Sequence, residues 1–337
     1  MCNLGKQDKE DRRTTVGKKL KNLESIKMKV FVTGVAGQLG HDVMNELYKR
    51  GHDGIGSDIK AEYSGVQDGS PVCSMPYRQL DITDENSVKE VIEDIRPDAV
   101  VHCAAWTNVD AAEDEEKFDL VRNINVNGTL NIAKACRSVN SKILYLSTDY
   151  VFNGEGTMPW KPDDKNYSPL NVYGKTKLEG ELAVVNTLDD YFIVRIAWVF
   201  GLSGNNFIKT MLRVAQNHDE VRVVNDQIGT PTYTPDLARL IVDMIEPDKY
   251  GYYHATNEGG YLSWYEFTKE IYKQAGIKTK VIPVSTEEYG ISVAKRPHNS
   301  RLDKTKLIEN NFEPLPVWQD ALRRYLEELR ENTDKLV

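Results

Sequence analysis

MKVFVTGVAGQLGHDVMNELYKRG, residues 28–51, decides how the rest of the chain is read. An apolar run ends at Thr33, three glycines follow, and the amphipathic pattern HDVMNELYKR then runs to Gly51. A short β-branched run passing through glycines into a helical period is a strand–turn–helix unit. Gly34, Gly37 and Gly40 stand in the spacing G-x-x-G-x-x-G, with Gln38 and Leu39 in the same loop. Glycines here let the backbone turn sharply and approach a pyrophosphate with no Cβ in the way. The helix N-terminus then offers free N–H groups and a partial positive charge. A triple-glycine pattern alone is weak and can serve packing only. Its place at the head of a strand–helix series gives it weight.

That series continues. GIGSD is a second strand, and after an irregular stretch around Pro71 and Pro76, DITDENSVKEVIEDIRPD is a helix with an acidic first turn. AVVHCAA is a strand, FDLVRNINVNGTLNIAKACRSVN one long helix, and KILYLST the next strand. Residues 153–170, rich in Gly, Pro and Asp, read as an ordered loop over the carboxyl edge of the sheet, or as a lid. A helix carrying YGKTKLEGELAVVN and the strand YFIVRIAWVFG follow. This alternation predicts an α/β fold, a Rossmann-type doubly wound parallel sheet. Residues 28–202 are expected to form the dinucleotide-binding domain, with a further contribution from about 221–246. Residues 203–337, with helices such as SWYEFTKEIYKQAG and short strands VRVVN, YYHAT and KVIPV, form mainly a smaller C-terminal substrate domain.

The bulk numbers set limits. A chain of 337 residues suits one large α/β unit or two closely joined domains. A net charge of −8 argues against nucleic acid as the main partner, because phosphate backbones demand clustered basic charge. The four cysteines (Cys2, Cys73, Cys103, Cys136) match no zinc spacing, and the six histidines are scattered, so no metal site is expected. No stretch approaches the roughly 20 apolar residues of a membrane span. The expectation is a soluble, cytoplasmic protein without a membrane partner. Residues 1–27 carry eight Lys/Arg against four Asp/Glu and lack the apolar core of a signal peptide. They read as a disordered or weakly helical tail, or as an upstream extension with Met28 as the natural start.

Several residues are candidates for holding a dinucleotide. Asp58 closes the second strand, where an acid can take the ribose hydroxyls of the adenosine, although an ordinary turn aspartate is the plainer alternative. An acid there repels a 2′-phosphate and favours NADH, while Lys60 pulls toward NADPH. Asp81 and Ile82 are placed to line the adenine, and Ala104 and Ala105 leave room for the cofactor at the end of the fourth strand.

Tyr173 and Lys177 stand at i and i+4, on one helix face. A free phenol titrates near about 10, and a neighbouring ammonium lowers that value. Tyrosine can then exchange a proton with a carbonyl being reduced, while the lysine holds the cofactor ribose. With 17 tyrosines, one Y-x-x-x-K is due by chance, and Tyr265 with Lys269 is a second. Position favours Tyr173, which follows the strand ending in Ser147-Thr148 within the dinucleotide-binding rhythm. Thr148 would place a hydroxyl beside the same carbonyl oxygen, or merely cap its strand.

Taken in order, TGVAGQLG, AAWTNVDAAEDE, STDYVFNG, YGKTKLEGE, VRIAWVFG, GNNFIKTML, DQIGTPTYTPDLA and RPHNSRLDKTKL resemble the extended short-chain dehydrogenase/reductases, and within them the dTDP-4-dehydrorhamnose reductases. The resemblance covers Met28 to about residue 330. It implies reduction of a dTDP-linked 4-keto sugar by NADPH or NADH. Thr148, Tyr173 and Lys177 fall on its catalytic positions. Asp149, Tyr150 and Trp198 fall beside the sugar. Asn206, Lys209 and Arg296 are candidates for the nucleotide diphosphate, with a surface ion pair the alternative for Arg296. Related 4,6-dehydratases carry Asp-Glu after the threonine, and Asp149-Tyr150 lacks that second acid, so reduction is implied rather than elimination. His102-Cys103 replaces the commoner Asn-Ala. Relatives often form a homodimer, some with bridging Mg2+, but no ligand cluster in the sequence demonstrates either. Two other readings stay open at this point. One is a reductase of another nucleotide-linked 4-keto-6-deoxy sugar. The other is a non-catalytic dinucleotide-binding subunit of the kind associated with methionine adenosyltransferase.

Overall fold

Side chains alternate across an extended strand, and in this protein both faces of each central strand are apolar. The computed structural model describes residues 27–335, so the N-terminal tail, apart from Lys27, lies outside the described residues. In chain order the main elements are β1 (Lys29–Thr33), α1 (Gln38–Lys49), β2 (Asp53–Asp58), β3 (Tyr77–Gln79), α2 (Glu85–Ile95), β4 (Ala99–His102), α3 (Thr129–Val139), β5 (Lys142–Thr148), α4 (Val172–Val185), β6 (Tyr191–Ile196), α5 (Phe207–Ala215), β7 (Glu220–Val224), α6 (Thr234–Ile245), β8 (Gly251–His254), α7 (Trp264–Ala275), β9 (Lys280–Val284) and α8 (Trp318–Lys335).

Seven parallel strands form one sheet in the order β8-β6-β5-β4-β1-β2-β3. Val30, Val32, Val101, Leu144 and Val194 face one side, where Val43, Met44 and Leu47 of α1 and Leu240 and Ile241 of α6 cover them. Phe31, Val100, Ile143, Tyr145 and Ile193 face the other, under Ile92 of α2, Ile132 of α3 and Val184 of α4. This is the expected doubly wound arrangement, and it brings the carboxyl ends of β1, β2, β4, β5 and β6 to one edge. A third apolar cluster joins α5, α7 and α8 into a smaller C-terminal unit. There β7 and β9 make a separate two-stranded parallel sheet.

Five local expectations differ from the structure. The stretch around Pro76 holds β3, a three-residue edge strand with two exposed residues, too short to show a period. The helix expected over residues 118–140 is broken at Asn123–Gly128, which forms a π-turn. The buried Asn125 side chain there accepts from Trp106 N (2.8 Å) and donates to Thr176 Oγ1 (3.0 Å), and these bonds compete with regular helix. The strand expected to run through Trp198 stops at Ile196, and Trp198 turns left-handed at φ 51°. The 221–246 segment divides: β7 pairs with β9 in the small sheet, while α6 packs on the main sheet. YYHAT contributes β8, the seventh strand of that sheet, because it pairs with β6 rather than with the C-terminal strands.

The loop 153–171 is pinned rather than free. Trp160 N donates to Arg301 O (2.9 Å), and Asn299 Nδ2 donates to Glu155 O (3.2 Å) and Met158 O (2.9 Å). Of the two expectations for this loop, ordered strap or lid, the hydrogen bonds make it a strap.

The glycine loop is a steric constraint. A Cβ on Gly40 would sit 2.3 Å from Gly34 O, whereas one on Gly37 would sit 3.2 Å from the same atom. Gly40→Ala should therefore destabilise the fold by about 3 kcal/mol in urea titration, and Gly37→Ala by clearly less. Equal losses would count against the crowding described here.

Candidate active site

The carboxyl ends of the strands, with the C-terminal unit beside them, enclose a cavity of about 830 Å³. Its floor is the glycine loop: Gly34, Gly37, Gln38, Leu39 and Gly40 all line it. Gly34 is left-handed at φ 71°, and a Cβ on it would stand 2.7 Å from Ala104 N. Only a residue without a side chain lets β1 and β4 come this close. Gly37 is the N-cap of α1 and has no side-chain cap, so the helix end faces the cavity with backbone donors alone.

Asp58, Asp81, Ile82, Ala104 and Ala105 line the same cavity. Asp58 also braces the loop, accepting from Ala36 N at 3.1 Å and Ile59 N at 2.8 Å. A mononucleotide-sized space bounded by Asp58, Asp81 and Ile82, joined to an unblocked helix N-terminus and to small residues at Ala104 and Ala105, fits a dinucleotide.

At the other end, Thr148, Asp149, Tyr150, Tyr173 and Lys177 share one wall. Thr148 ends β5, and its hydroxyl donates to Asp149 Oδ1 (3.0 Å) and accepts from Tyr150 N (3.2 Å). Asn171 caps α4 by accepting from Gly174 N (2.8 Å), which starts the helix just before Tyr173. Tyr150 and Tyr173 meet edge to face, centroids 5.7 Å apart. Lys177 Nζ lies 4.1 Å from the centre of the Tyr145 ring. The second Tyr/Lys pair is elsewhere: Tyr265 packs on the C-terminal core, with Lys269 Nζ 5.3 Å above its ring.

Burial governs the charges. It raises the Tyr173 phenol well above its ordinary value, a hydrogen bond with Thr148 offsets part of this, and Asp149 adds to it. It lowers Lys177 to about 7, against Glu181 and Cys103, which hold it up. The expectation that Lys177 acidifies the phenol is therefore corrected. Desolvation outweighs the pairing, and the lysine is itself pushed toward neutrality. Burial also lifts Asp149 to about 6 against hydrogen bonds from Ser300 and Thr148, and its Oδ2 has no partner.

Three candidates for a diphosphate do not line the cavity. Asn206 caps α5 and spends its amide on Gly201 O (2.9 Å) and Tyr325 Oη (2.8 Å). Lys209 donates to Gly204 O (2.7 Å) and Leu202 O. Both shape the loop 201–205, which touches the glycine loop through Ser203 Oγ and Ala36 O (2.9 Å). Arg296 makes a bidentate pair with Asp110 (2.6 and 3.1 Å), the ion-pair alternative.

Trp198 does line the cavity, and sequence reading missed its companions. Trp264 of α7 stacks on it with centroids 3.6 Å apart, and Phe207 of α5 meets Trp264 at 4.4 Å. Gly229 makes room, since a Cβ there would press on the Trp198 ring at 2.8 Å. The visible signal was an aromatic at the first position of two C-terminal helices, but nothing local says which way they face. Among the described residues no group of three or more His, Cys, Asp or Glu is placed to hold a metal ion.

The Asp149 environment sets a pH test. Its folded value of about 6 exceeds its ordinary 3.8, so the folded protein holds that proton more tightly. The stabilisation is complete below the ordinary value and is lost as pH rises through about 6. Asp149→Asn should remove that loss, on the order of 2–3 kcal/mol, from the difference in unfolding free energy between a pH below about 4 and neutral pH. Parallel pH–stability curves for the two proteins would contradict the assigned environment.

Comparison with known proteins agrees with this geometry. Residues 28–331 match the family described as the RmlD substrate binding domain. The chain is 38% identical over 300 residues to the spore coat polysaccharide biosynthesis protein SpsK of Bacillus subtilis, covering 89% of this chain and 97% of that protein. It is 37% identical over 314 residues to the dTDP-4-dehydrorhamnose reductase of Escherichia coli K12, covering 90% and 98%. A crystal structure of dTDP-4-dehydrorhamnose reductase from Bacillus anthracis in complex with NADP superposes with a TM-score of 0.80 at 40% identity, covering 90% of this chain and all of that one. A glycine-floored cavity, a Thr/Tyr/Lys wall and likeness along nearly the whole chain converge: this protein belongs to the RmlD substrate-binding family, that of the dTDP-4-dehydrorhamnose reductases.

Proposed function

We propose that the protein reduces the 4-keto group of dTDP-4-dehydro-β-L-rhamnose to give dTDP-β-L-rhamnose, with NADPH or NADH as hydride donor. The observation that carries this reading is the shared cavity. Thr148, Tyr173 and Lys177 face it from one wall, and the glycine loop forms its floor.

In this reading Gly34, Gly37, Gln38, Leu39 and Gly40 cradle the pyrophosphate, Asp58 meets the adenosine ribose, and Asp81 and Ile82 meet the adenine. Ala104 and Ala105 leave space beside Thr148. The bound cofactor supplies hydride to the carbonyl carbon. Thr148 and Tyr173 hold the carbonyl oxygen with two hydroxyls, and Tyr173 gives its proton to that oxygen as the alkoxide develops. A phenol raised by burial stays protonated until the oxygen has become a strong base, so it serves as donor in this direction. Lys177, one turn on, holds the ribose. Asp149, Tyr150 and the Trp198–Trp264 stack wall the sugar. Asp149-Tyr150 offers no second carboxylate for eliminating water.

Both reactants are charged nucleotides that do not cross a membrane unaided, which supports a cytoplasmic reaction. Among the described residues no helix is long and apolar enough to cross a membrane. A homodimer is the expectation for the assembly, and light scattering reads it.

Following loss of nicotinamide absorbance with the dTDP-linked 4-keto sugar tests the reaction, with both cofactors in parallel. Tyr173→Phe should lower kcat by about 10²–10⁴ while leaving NADPH binding intact. A variant turning over at the wild-type rate removes the proton donor from this scheme.

A further inference from the structure

Helix α4 turns an unusual face to the sheet. Its buried positions are Gly174, Thr176, Lys177, Gly180, Glu181 and Val184, so charge sits where a packed helix usually carries aliphatic residues. Tyr173, Lys177 and Glu181 follow at intervals of four and share that face. Glu181 and its partner Arg195 of β6 are both fully buried, with side-chain exposure of 0%. The contact is bidentate, Nε to Oε1 at 2.8 Å and Nη2 to Oε2 at 2.7 Å. Ser147, the residue before Thr148, donates to the same carboxylate. The remaining guanidinium donors hold the strap through Pro162 O (3.1 Å) and Tyr167 Oη (3.0 Å).

A buried ion pair is costly to desolvate, and a well-packed apolar pair of similar volume often matches or exceeds its stability. Stability alone therefore does not explain a bidentate pair at the base of the Thr/Tyr/Lys wall. The groups facing Lys177 are His102 at the end of β4, Cys103 just after it, Tyr145 of β5, and Glu181 on its own helix. Burial keeps His102 and Cys103 neutral, pushing the first down to about 3 and the second up to about 12. Glu181, paired with Arg195, is the carboxylate in this set.

We propose that Glu181, fixed by Arg195 and Ser147, is a positioning residue for the reduction inferred above. It locks α4 against β5 so that Tyr173 and Lys177 face Thr148, and it places a counter-charge one helical turn from Lys177. Arg195 carries the same lock to the strap. The proposal rests on the reductase reading for its purpose, but its physical content concerns Lys177 and can be measured without substrate.

The test is competitive acetylation of the intact protein over a range of pH, with each lysine quantified by mass spectrometry. The pH at which Lys177 becomes reactive reports its protonation. Glu181→Gln keeps the shape and removes the charge. Glu181→Leu combined with Arg195→Met replaces the pair with apolar volume, should the single variant not fold. In either folded variant the Lys177 midpoint should fall by about one pH unit, and kcat should drop by about tenfold or more with its alkaline limb moved to lower pH. An unchanged Lys177 midpoint overturns the inference, whatever happens to Tm. Failure of the wild-type protein to reduce the dTDP-linked 4-keto sugar overturns the proposed reaction instead, and leaves the midpoint comparison standing.

Discussion

The arrangement depends on how closely two backbones approach at the carboxyl edge of the sheet. Gly34 lies against Ala104, and Gly40 lies against Gly34 O, with no space for a Cβ at either glycine. That contact sets where α1 begins, and so where its uncapped N-terminus points. It also draws β1 and β4 together, opening a continuous trough from Asp58 across Ala104 to Thr148. The remaining features of the cavity are hung on this edge: Asp58 from β2, the Thr148, Tyr173 and Lys177 wall from β5 and α4, and the aromatic wall from the C-terminal unit.

Helix α4 shows how function reshapes packing. Its sheet-facing row gives up aliphatic contact for Lys177 and Glu181, and glycines at 174 and 180 let it settle close to Tyr150 O and the Tyr145 ring. A helix with that face has little hydrophobic reason to dock. Directed bonds replace the missing apolar contact: the Glu181–Arg195 pair, the Asn171 cap and the Asn125–Thr176 bond. Such bonds fix rotation more sharply than apolar packing does, since a small turn breaks a bidentate contact outright. A site that must hold a phenol, an amine and a hydroxyl in register gains from that sharpness.

Much was legible from the chain alone where local chemistry decides. Strand–glycine–helix order fixed the doubly wound class, and the i, i+4 spacing put Tyr173 and Lys177 on one face. Less was legible where a long-range contact overrides local preference. The π-turn at Asn123–Gly128 exists because Asn125 bonds to Trp106 and Thr176, residues far along the chain. β8 joins the main sheet because β6 has a free edge, which no period in YYHAT reveals. Asn206 and Lys209 carry the polar atoms a diphosphate would want, yet those atoms are spent on the loop 201–205.

By itself the sequence determined the fold class, the glycine floor and the identity of the Thr148, Tyr173 and Lys177 wall, because each follows from residue type and spacing within a few turns of chain. Only the tertiary structure decided the electrostatics and the outer walls. Burial reversed the expected pairing of Tyr173 with Lys177, since desolvation is set by everything packed around a group and not by its neighbours in sequence. The Trp198–Trp264 stack and the Glu181–Arg195 pair likewise join residues whose meeting is a property of the folded chain.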